Sequence, residues 1–232
     1  MSVLPLFPIK LPQGLLRFGR MSEGGVSVEK EYYEKYWHAE AHAPPNTDPL
    51  TSLRVKSFLE GVKGARTVLD LGCGNGRGTR LMASAVGNVV GLDISHRSLL
   101  WAKKNCSSSN FLQAPCDASL PFASGSFDAV YSAEVIEHVL DPASRVAECH
   151  RVLKPAGTLF VTTPFHGRIK NFVIAAVGFE KHFDPDGPHI RFFTEKSLRS
   201  LLERNGFEIH RVSYLGRFWP LWMNMAVRAL KT

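Results

Sequence analysis

Two aspartates flanking a run of glycines are the residues of this chain best placed to do chemistry. Asp70 sits in the apolar run Val68-Leu-Asp-Leu71, which leads into Gly72-Cys-Gly-Asn-Gly-Arg-Gly78, with glycine at alternate positions. The pattern reads as a buried strand turning sharply into a helix that begins near Arg77. Glycine lets a backbone turn tightly and a ligand approach without a Cβ in the way. The amides of such a turn attract an anionic or strongly polar group. A second apolar run, Asn88-Val-Val-Gly-Leu-Asp-Ile94, carries Asp93 at the position, about 20 residues on, where an acid accepts bonds from ribose hydroxyls. The dinucleotide fingerprint G-x-G-x-x-G is broken by Arg77. A carboxylate at Asp70 also repels a pyrophosphate and suits a ligand that carries an ammonium group.

A second constellation is Glu134-Val-Ile-Glu-His138, after another apolar run. Two acids three residues apart and an adjacent histidine converge on one face if the backbone turns helically. Oxygen and nitrogen donors so placed describe a site for a divalent cation. His189, in Pro188-His-Ile-Arg-Phe-Phe-Thr194, is a fourth donor for it. Without a metal, His138, His189 and His166 are the general-base candidates.

The elements that must position these residues alternate between strand and helix. Strands are expected near residues 66–71, 88–93, 110–114, 127–132 and 157–163, with helices near 77–86, 95–105 and 141–152 between them. Two helices, 28–37 and 49–61, precede the first strand, with Pro44, Pro45 and Asn46 breaking the chain between them. Beyond Pro164 come a helix near 168–178, a Gly/Asp/Pro-rich loop at 184–188 and a helix 194–205 with Thr194 as its N-cap. Residues 207–214 and 225–230 then close the sheet as an antiparallel pair. The fold class is α/β: a doubly wound, mostly parallel, seven-stranded Rossmann-like sheet with an antiparallel C-terminal hairpin. Residues 1–48 form an N-terminal helical extension, and 49–214 the ligand-binding domain with an acceptor-site insertion at about 165–193. Residues 215–232 are the closing strand and tail. In such sheets ligands bind beyond the carboxyl ends of the strands, where Asp70, Asp93 and Glu134 all fall.

An ammonium, a carboxylate and a ribose together describe S-adenosyl-L-methionine better than NAD, and the chain resembles a class I S-adenosylmethionine-dependent methyltransferase. The resemblance covers about residues 50–213. It is carried by Val68 to Gly76, Gly91 to Ser95, Cys116-Asp-Ala118, Ser126-Phe-Asp-Ala-Val130 and Arg151-Val-Leu-Lys-Pro-Ala-Gly-Thr158. It implies that Asp70 and the turn Gly72, Cys73, Gly74 hold the methionine portion, that Asp93 takes the ribose hydroxyls, and that Ile94 lies against the adenine. It further implies that Asp117 receives the adenine amino group, Ala118 supplies a backbone donor, Ala133 lies on the sulfur side, and Arg54 meets the cofactor carboxylate. The E-x-x-E-H run and the later histidine resemble those of ubiquinone-biosynthesis O-methyltransferases. They also resemble small-RNA 3′-terminal 2′-O-methyltransferases, which use two Glu and two His around Mg²⁺. The resemblance implies Glu134, Glu137, His138 and His189 as ligands of Mg²⁺ or another divalent cation, with Glu137, His138 and His189 as the catalytic group. Three readings stand: transfer to oxygen of a small or lipid-like acceptor, an RNA 2′-O-methyltransferase, and a non-catalytic cofactor-binding subunit.

Composition narrows the setting. A chain of 232 residues with 44% apolar content can bury one large core. It has no run of ~18 apolar residues of the kind that spans a bilayer, and residues 1–20 do not read as a signal peptide. Four scattered cysteines without a C-x-x-C pair fit a reducing cytoplasm. The whole +7 charge lies in residues 150–232, with 13 Lys and Arg against 6 Asp and Glu. That half suits an acidic partner such as nucleic acid or phospholipid head groups, or else a solvated basic face. The apolar stretch 172–179 has basic flanks, and the tail Arg217-Phe-Trp-Pro-Leu-Trp-Met-Asn-Met225 is rich in aromatics. Both fit either a peripheral membrane contact or packing on the sheet as core and lid, and the packed reading is preferred. No RNA-binding module is recognisable.

Overall fold

The computed structural model describes residues 28–38, 49–115, 119–183 and 187–232. Apolar runs become strands, and the amphipathic stretches between them become helices. In chain order these are α1 (Val28–Tyr36), α2 (Pro49–Leu59), β1 (Thr67–Leu71), α3 (Arg77–Ala83), β2 (Asn88–Asp93), α4 (His96–Asn105), β3 (Asn110–Gln113) and β4 (Phe127–Ala133). After a 3-10 turn at Ile136–His138 follow α5 (Pro142–Val152), β5 (Leu153–Pro164), α6 (Arg168–Val177), α7 (Phe179–His182), α8 (Glu195–Arg204), β6 (Phe207–Leu215) and β7 (Asn224–Lys231).

The seven strands form one sheet in the order β3-β2-β1-β4-β5-β7-β6. The first five are parallel; β7 runs antiparallel to both β5 and β6. This is the expected doubly wound architecture with its antiparallel hairpin. The strand order reverses between β1 and β4, which opens a crevice at their carboxyl ends.

Alternation along each strand sends side chains to opposite faces. Leu69, Leu71, Val90, Leu92, Val130, Leu159 and Val161 join the core on one face, with Leu198, Leu201 and Leu202 of α8. Val68, Val89, Ala129, Tyr131 and Phe160 join the core on the other, with Val55 and Phe58 of α2. Phe58 meets Tyr131 edge-on at 5.2 Å, and Tyr131 stacks on Phe160. Helix starts are set by caps: the Ser95 hydroxyl accepts from Ser98 N, Asp141 accepts from Ser144 N with Pro142 behind it, and Thr194 and Ser197 form a capping box.

Two expectations change. β5 begins at Leu153 rather than 157, because Phe127 pairs with Leu153 before a register shift brings Ala129 opposite Thr158. The packed reading of residues 172–179 does not hold. No residue of α6 is buried, and Phe172 and Val177 are 75% and 81% exposed. The helix starts beyond the last residue of β5, where there is no sheet left to cover. The tail is divided. Trp222 stacks on Tyr214 beside Phe165, whereas Phe218 and Trp219 stand exposed. Among the described residues no helix is long and apolar enough to cross a membrane.

Candidate active site

The glycine turn at the end of β1 is tight because the fold crowds it. Gly72 and Gly74 adopt φ of 75° and 51°, and a Cβ on Gly72 would meet Val135 Cγ2 at 2.3 Å. Five amides of this turn are spent within the fold. Gly72 and Cys73 N–H both donate to the Leu92 carbonyl, Gly74 N–H to Asp93 Oδ2, Gly76 N–H to the Cys73 carbonyl, and Arg77 N–H to Asn75 Oδ1. The sequence reading had the turn's amides receiving an anion; the amides of Gly72, Cys73, Gly74, Gly76 and Arg77 already have acceptors within the fold.

Two adjoining cavities flank the turn and share Gly72, Gly74, Tyr36 and Trp37 as walls. One, of about 270 Å³, is lined by Arg54, Asp70, Cys73, Arg77, Tyr131 and Ala133 among others. The other, of about 290 Å³, is lined by Asp93, Ile94, Glu134, Val135, His138, Pro188 and His189 among others. Every described residue singled out from the sequence for cofactor or metal lines one of the two, apart from Glu137. Asp117 and Ala118 lie outside the described residues.

The acids here are buried and short of solvation. Burial raises the Asp70 carboxyl to about 7; the Thr79 hydroxyl, donating at 2.5 Å, pulls the other way, and the Asp93 charge raises it further. Burial also raises Asp93, against the amides of Ser95 and Gly74 that donate to its two oxygens.

Beyond β4 the chain turns hard. Glu134 takes φ 55°, an unusual conformation for a residue with a side chain and one that concentrates at functional sites. Its carboxylate accepts from Thr162 Oγ1 at 2.8 Å and Asn224 Nδ2 at 2.7 Å, and lies 3.4 Å from Arg54 Nη2. The 3-10 turn then sets Glu137 and His138 side by side. Glu137 is fully buried, and among the described residues neither carboxyl oxygen makes a hydrogen bond of good geometry; the Thr163 hydroxyl and the backbone amide of Glu137 face it closely enough to pull its pKa partly back down. Burial first, and the Glu134 charge second, push it well above the usual carboxylate range. His138 Nδ1 lies 2.8 Å from the Pro188 carbonyl, so this nitrogen carries the proton and Nε2 is left as an acceptor. Burial, with His189 adding to it, lowers His138 to about 4. Ligand atoms of Glu137, His138 and His189 lie within 4.8 Å of one another. Of the four residues expected to hold a cation, these three form the cluster, while Glu134 is engaged by Thr162, Asn224 and Arg54.

Several contributors escaped the sequence reading. Glu34 of α1 accepts from Ser95 Oγ, His96 N–H and Arg97 N–H, pinning α1 to the start of α4. That places Tyr36 and Trp37 over the cavities and Tyr33 edge-on to His138. Asn224 of β7 bridges Arg54 and Glu134 across 170 and 90 residues of chain. Its only sequence signal is a polar residue between Met223 and Met225. Arg77 registered only as the residue that breaks a fingerprint.

The fold is that of a methyltransferase. A family model described as a methyltransferase domain matches residues 69–161. The ubiquinone biosynthesis O-methyltransferase of Pseudomonas aeruginosa is 31% identical over 185 residues, covering 75% of this chain and 78% of the relative. Its counterpart from Methylococcus capsulatus is 38% identical over 119 residues, half of either chain. A methyltransferase structure from Bacillus halodurans superposes with a TM-score of 0.65 at 19% identity, covering 77% of this chain and 97% of that one. The chain belongs to the class I S-adenosylmethionine-dependent methyltransferases, the family that includes these ubiquinone biosynthesis enzymes.

Proposed function

We propose that this enzyme transfers the methyl group of S-adenosylmethionine to an oxygen of a small or lipid-like acceptor, assisted by a divalent cation. The residues present fit the donor: Asp70 for its ammonium, Asp93 for its ribose hydroxyls, Ile94 against the base, Ala133 on the sulfur side. The donor supplies an electrophilic methyl on a sulfonium. The chain's part is to orient it and exclude water, which Tyr36 and Trp37 serve from above the turn.

The observation that carries the reading is Glu137, a buried carboxyl without a well-formed hydrogen bond among the described residues, beside two imidazoles whose pKa values burial lowers. Carboxylate and neutral imidazole are the donors that Mg²⁺, Mn²⁺ and similar ions accept, and an unpaired buried carboxylate is costly without one. A cation there would lower the pKa of an acceptor hydroxyl. Pro188 fixes the His138 tautomer so that Nε2 can serve as ligand or as base. The relatives' name favours oxygen as the acceptor atom.

The exposed apolar surface supports a lipid-like acceptor met at a bilayer. Phe172 and Val177 of α6, Phe179, and Phe218 and Trp219 stand exposed beside Arg168 and Arg217. Lys170 of α6 donates to the Phe165 carbonyl at 2.8 Å, and burial first and the nearby Arg217 charge second lower its pKa. An apolar face with basic flanks suits an anionic membrane surface.

The test is methyl transfer from labelled donor to a quinol and catechol panel and to a short RNA with a 3′-hydroxyl. Each acceptor is assayed with and without EDTA, then with Mg²⁺ or Mn²⁺ restored. Label on the small phenolic acceptor, lost in EDTA and recovered with metal, is expected. Label on the RNA alone overturns the acceptor, full activity in EDTA overturns the cation, and binding without turnover on any acceptor favours a non-catalytic subunit.

A further inference from the structure

We infer that Asn224, which lines neither cavity, is a positioning residue: it holds Arg54 in the orientation that serves the methyl donor and keeps that guanidinium apart from the Glu134 carboxylate. The inference rests on the donor site proposed above. Asn224 opens β7, is 3% exposed, and pairs with Pro164 at the end of β5 and with Leu215 at the end of β6. Strands on both sides therefore fix its backbone. Its Oδ1 accepts from Arg54 Nε at 3.1 Å and Nη2 at 2.8 Å, and its Nδ2 donates to Glu134 Oε2 at 2.7 Å. A guanidinium only donates and a carboxylate only accepts, so one orientation of the amide satisfies both partners.

Arg54 Nη2 and Glu134 Oε2 lie 3.4 Å apart, close enough to attract but longer than the ~2.7–2.9 Å of a charge-assisted hydrogen bond. Arginine and a carboxylate left to themselves favour two parallel bonds, one from each nitrogen of an edge. The Asn224 amide occupies the Nε–Nη2 edge that such a fork would use, and Thr162 Oγ1 holds the other oxygen of Glu134 at 2.8 Å. Each charge thereby stays at its own cavity: Arg54 at the one that Asp70 lines, Glu134 at the one that His138 lines. An α-amino acid carries an ammonium and a carboxylate on one carbon, and so is complementary to a cavity that offers both an acid and a guanidinium. With an apolar side chain at 224, Arg54 would turn onto Glu134 as a forked pair, at the expense of the donor.

The experiment is isothermal titration of S-adenosylhomocysteine into the full chain, as wild type, Asn224→Leu, Asn224→Asp, Arg54→Met and the double variant Asn224→Leu with Arg54→Met. Arg54→Met should weaken binding by about 10- to 100-fold, the range of a charge-assisted hydrogen bond. Asn224→Leu should weaken it by about 10-fold. Asn224→Asp still offers Arg54 an acceptor and should recover most of that loss. In the double variant the leucine should cost nothing beyond Arg54→Met, because its effect passes through the guanidinium. Packing damage at β7 would instead multiply the two losses. Multiplied losses, equal losses in Asn224→Leu and Asn224→Asp, or wild-type affinity in Asn224→Leu or Arg54→Met overturn the inference and leave the donor site standing. Should Asn224→Leu not fold, Asn224→Ser takes its place in the same cycle. Failure of wild type to bind overturns the donor site itself and the inference with it.

Discussion

The two ends of the sheet treat their acids in opposite ways. At the amino end, Asp128 of β4 accepts from the amides of Arg66 and Thr67, the Thr67 hydroxyl and Lys154 Nζ. Burial pulls its pKa upward, but Lys154, Thr67 and the amides outweigh burial and hold it well below the usual range. At the carboxyl end, Asp70, Asp93 and Glu137 are buried and raised. Glu137 makes no well-formed hydrogen bond among the described residues. An acid matched within the fold serves folding; an acid left short of partners is a cost that a ligand must offset. The division follows the topology, since loops and strand ends at the carboxyl side build the crevice while the amino side only closes the sheet.

The sharpest way to break this comparison is to remove an acid from each end. Glu137→Gln should lower metal-stimulated turnover by about 100-fold or more, as several kcal/mol of charge stabilisation are lost. The melting temperature should stay level or rise, because an unpaired buried carboxyl has gone. A large fall in stability with normal turnover would reverse the assignment. Next in size, Asp93→Asn should weaken S-adenosylhomocysteine binding by about 10- to 100-fold in calorimetry, from weaker bonds to the ribose. Unchanged affinity would remove the ribose assignment.

Asp128→Ala should do the opposite of Glu137→Gln, costing about 1–3 kcal/mol in urea unfolding, with kcat near wild type. The pH dependence also differs in sign. Asp128 has a depressed folded pKa, so its stabilisation is present above about pH 4 and lost as pH falls further. Asp70 has a raised one. Between about pH 4 and 7 it holds a proton that the unfolded chain releases, so stability falls as pH rises through that window. Asp70→Asn should flatten that slope in thermal melts at stepped pH. The smallest effect is expected at the latch of α1. Glu34→Gln keeps the shape but weakens three bonds, and should reduce donor affinity by about threefold to tenfold while speeding proteolysis before residue 49.

What the sequence made legible divides along similar lines. The strands and their order of appearance could be read because buried runs such as 68–71 and 88–93 are continuous and closed by turn residues. Asp70, Asp93 and His138 stood out because each lies at or just beyond the end of such a run. Asn224 and Glu34 did not, because their roles are contacts made across 61 to 170 residues that no local pattern encodes. That the Gly72 and Cys73 amides are occupied was not legible, because their acceptor, the Leu92 carbonyl, belongs to the neighbouring strand. α6 was read as packed because its composition suits a core, and only the end of β5 shows that no sheet is left to receive it.

The most direct measurement is a crystal structure of the protein with S-adenosylhomocysteine and Mn²⁺, using anomalous scattering to locate the metal. The account predicts the ribose on Asp93 and a manganese peak bounded by Glu137, His138 and His189. A well-occupied cofactor with no anomalous peak among those three residues would contradict it.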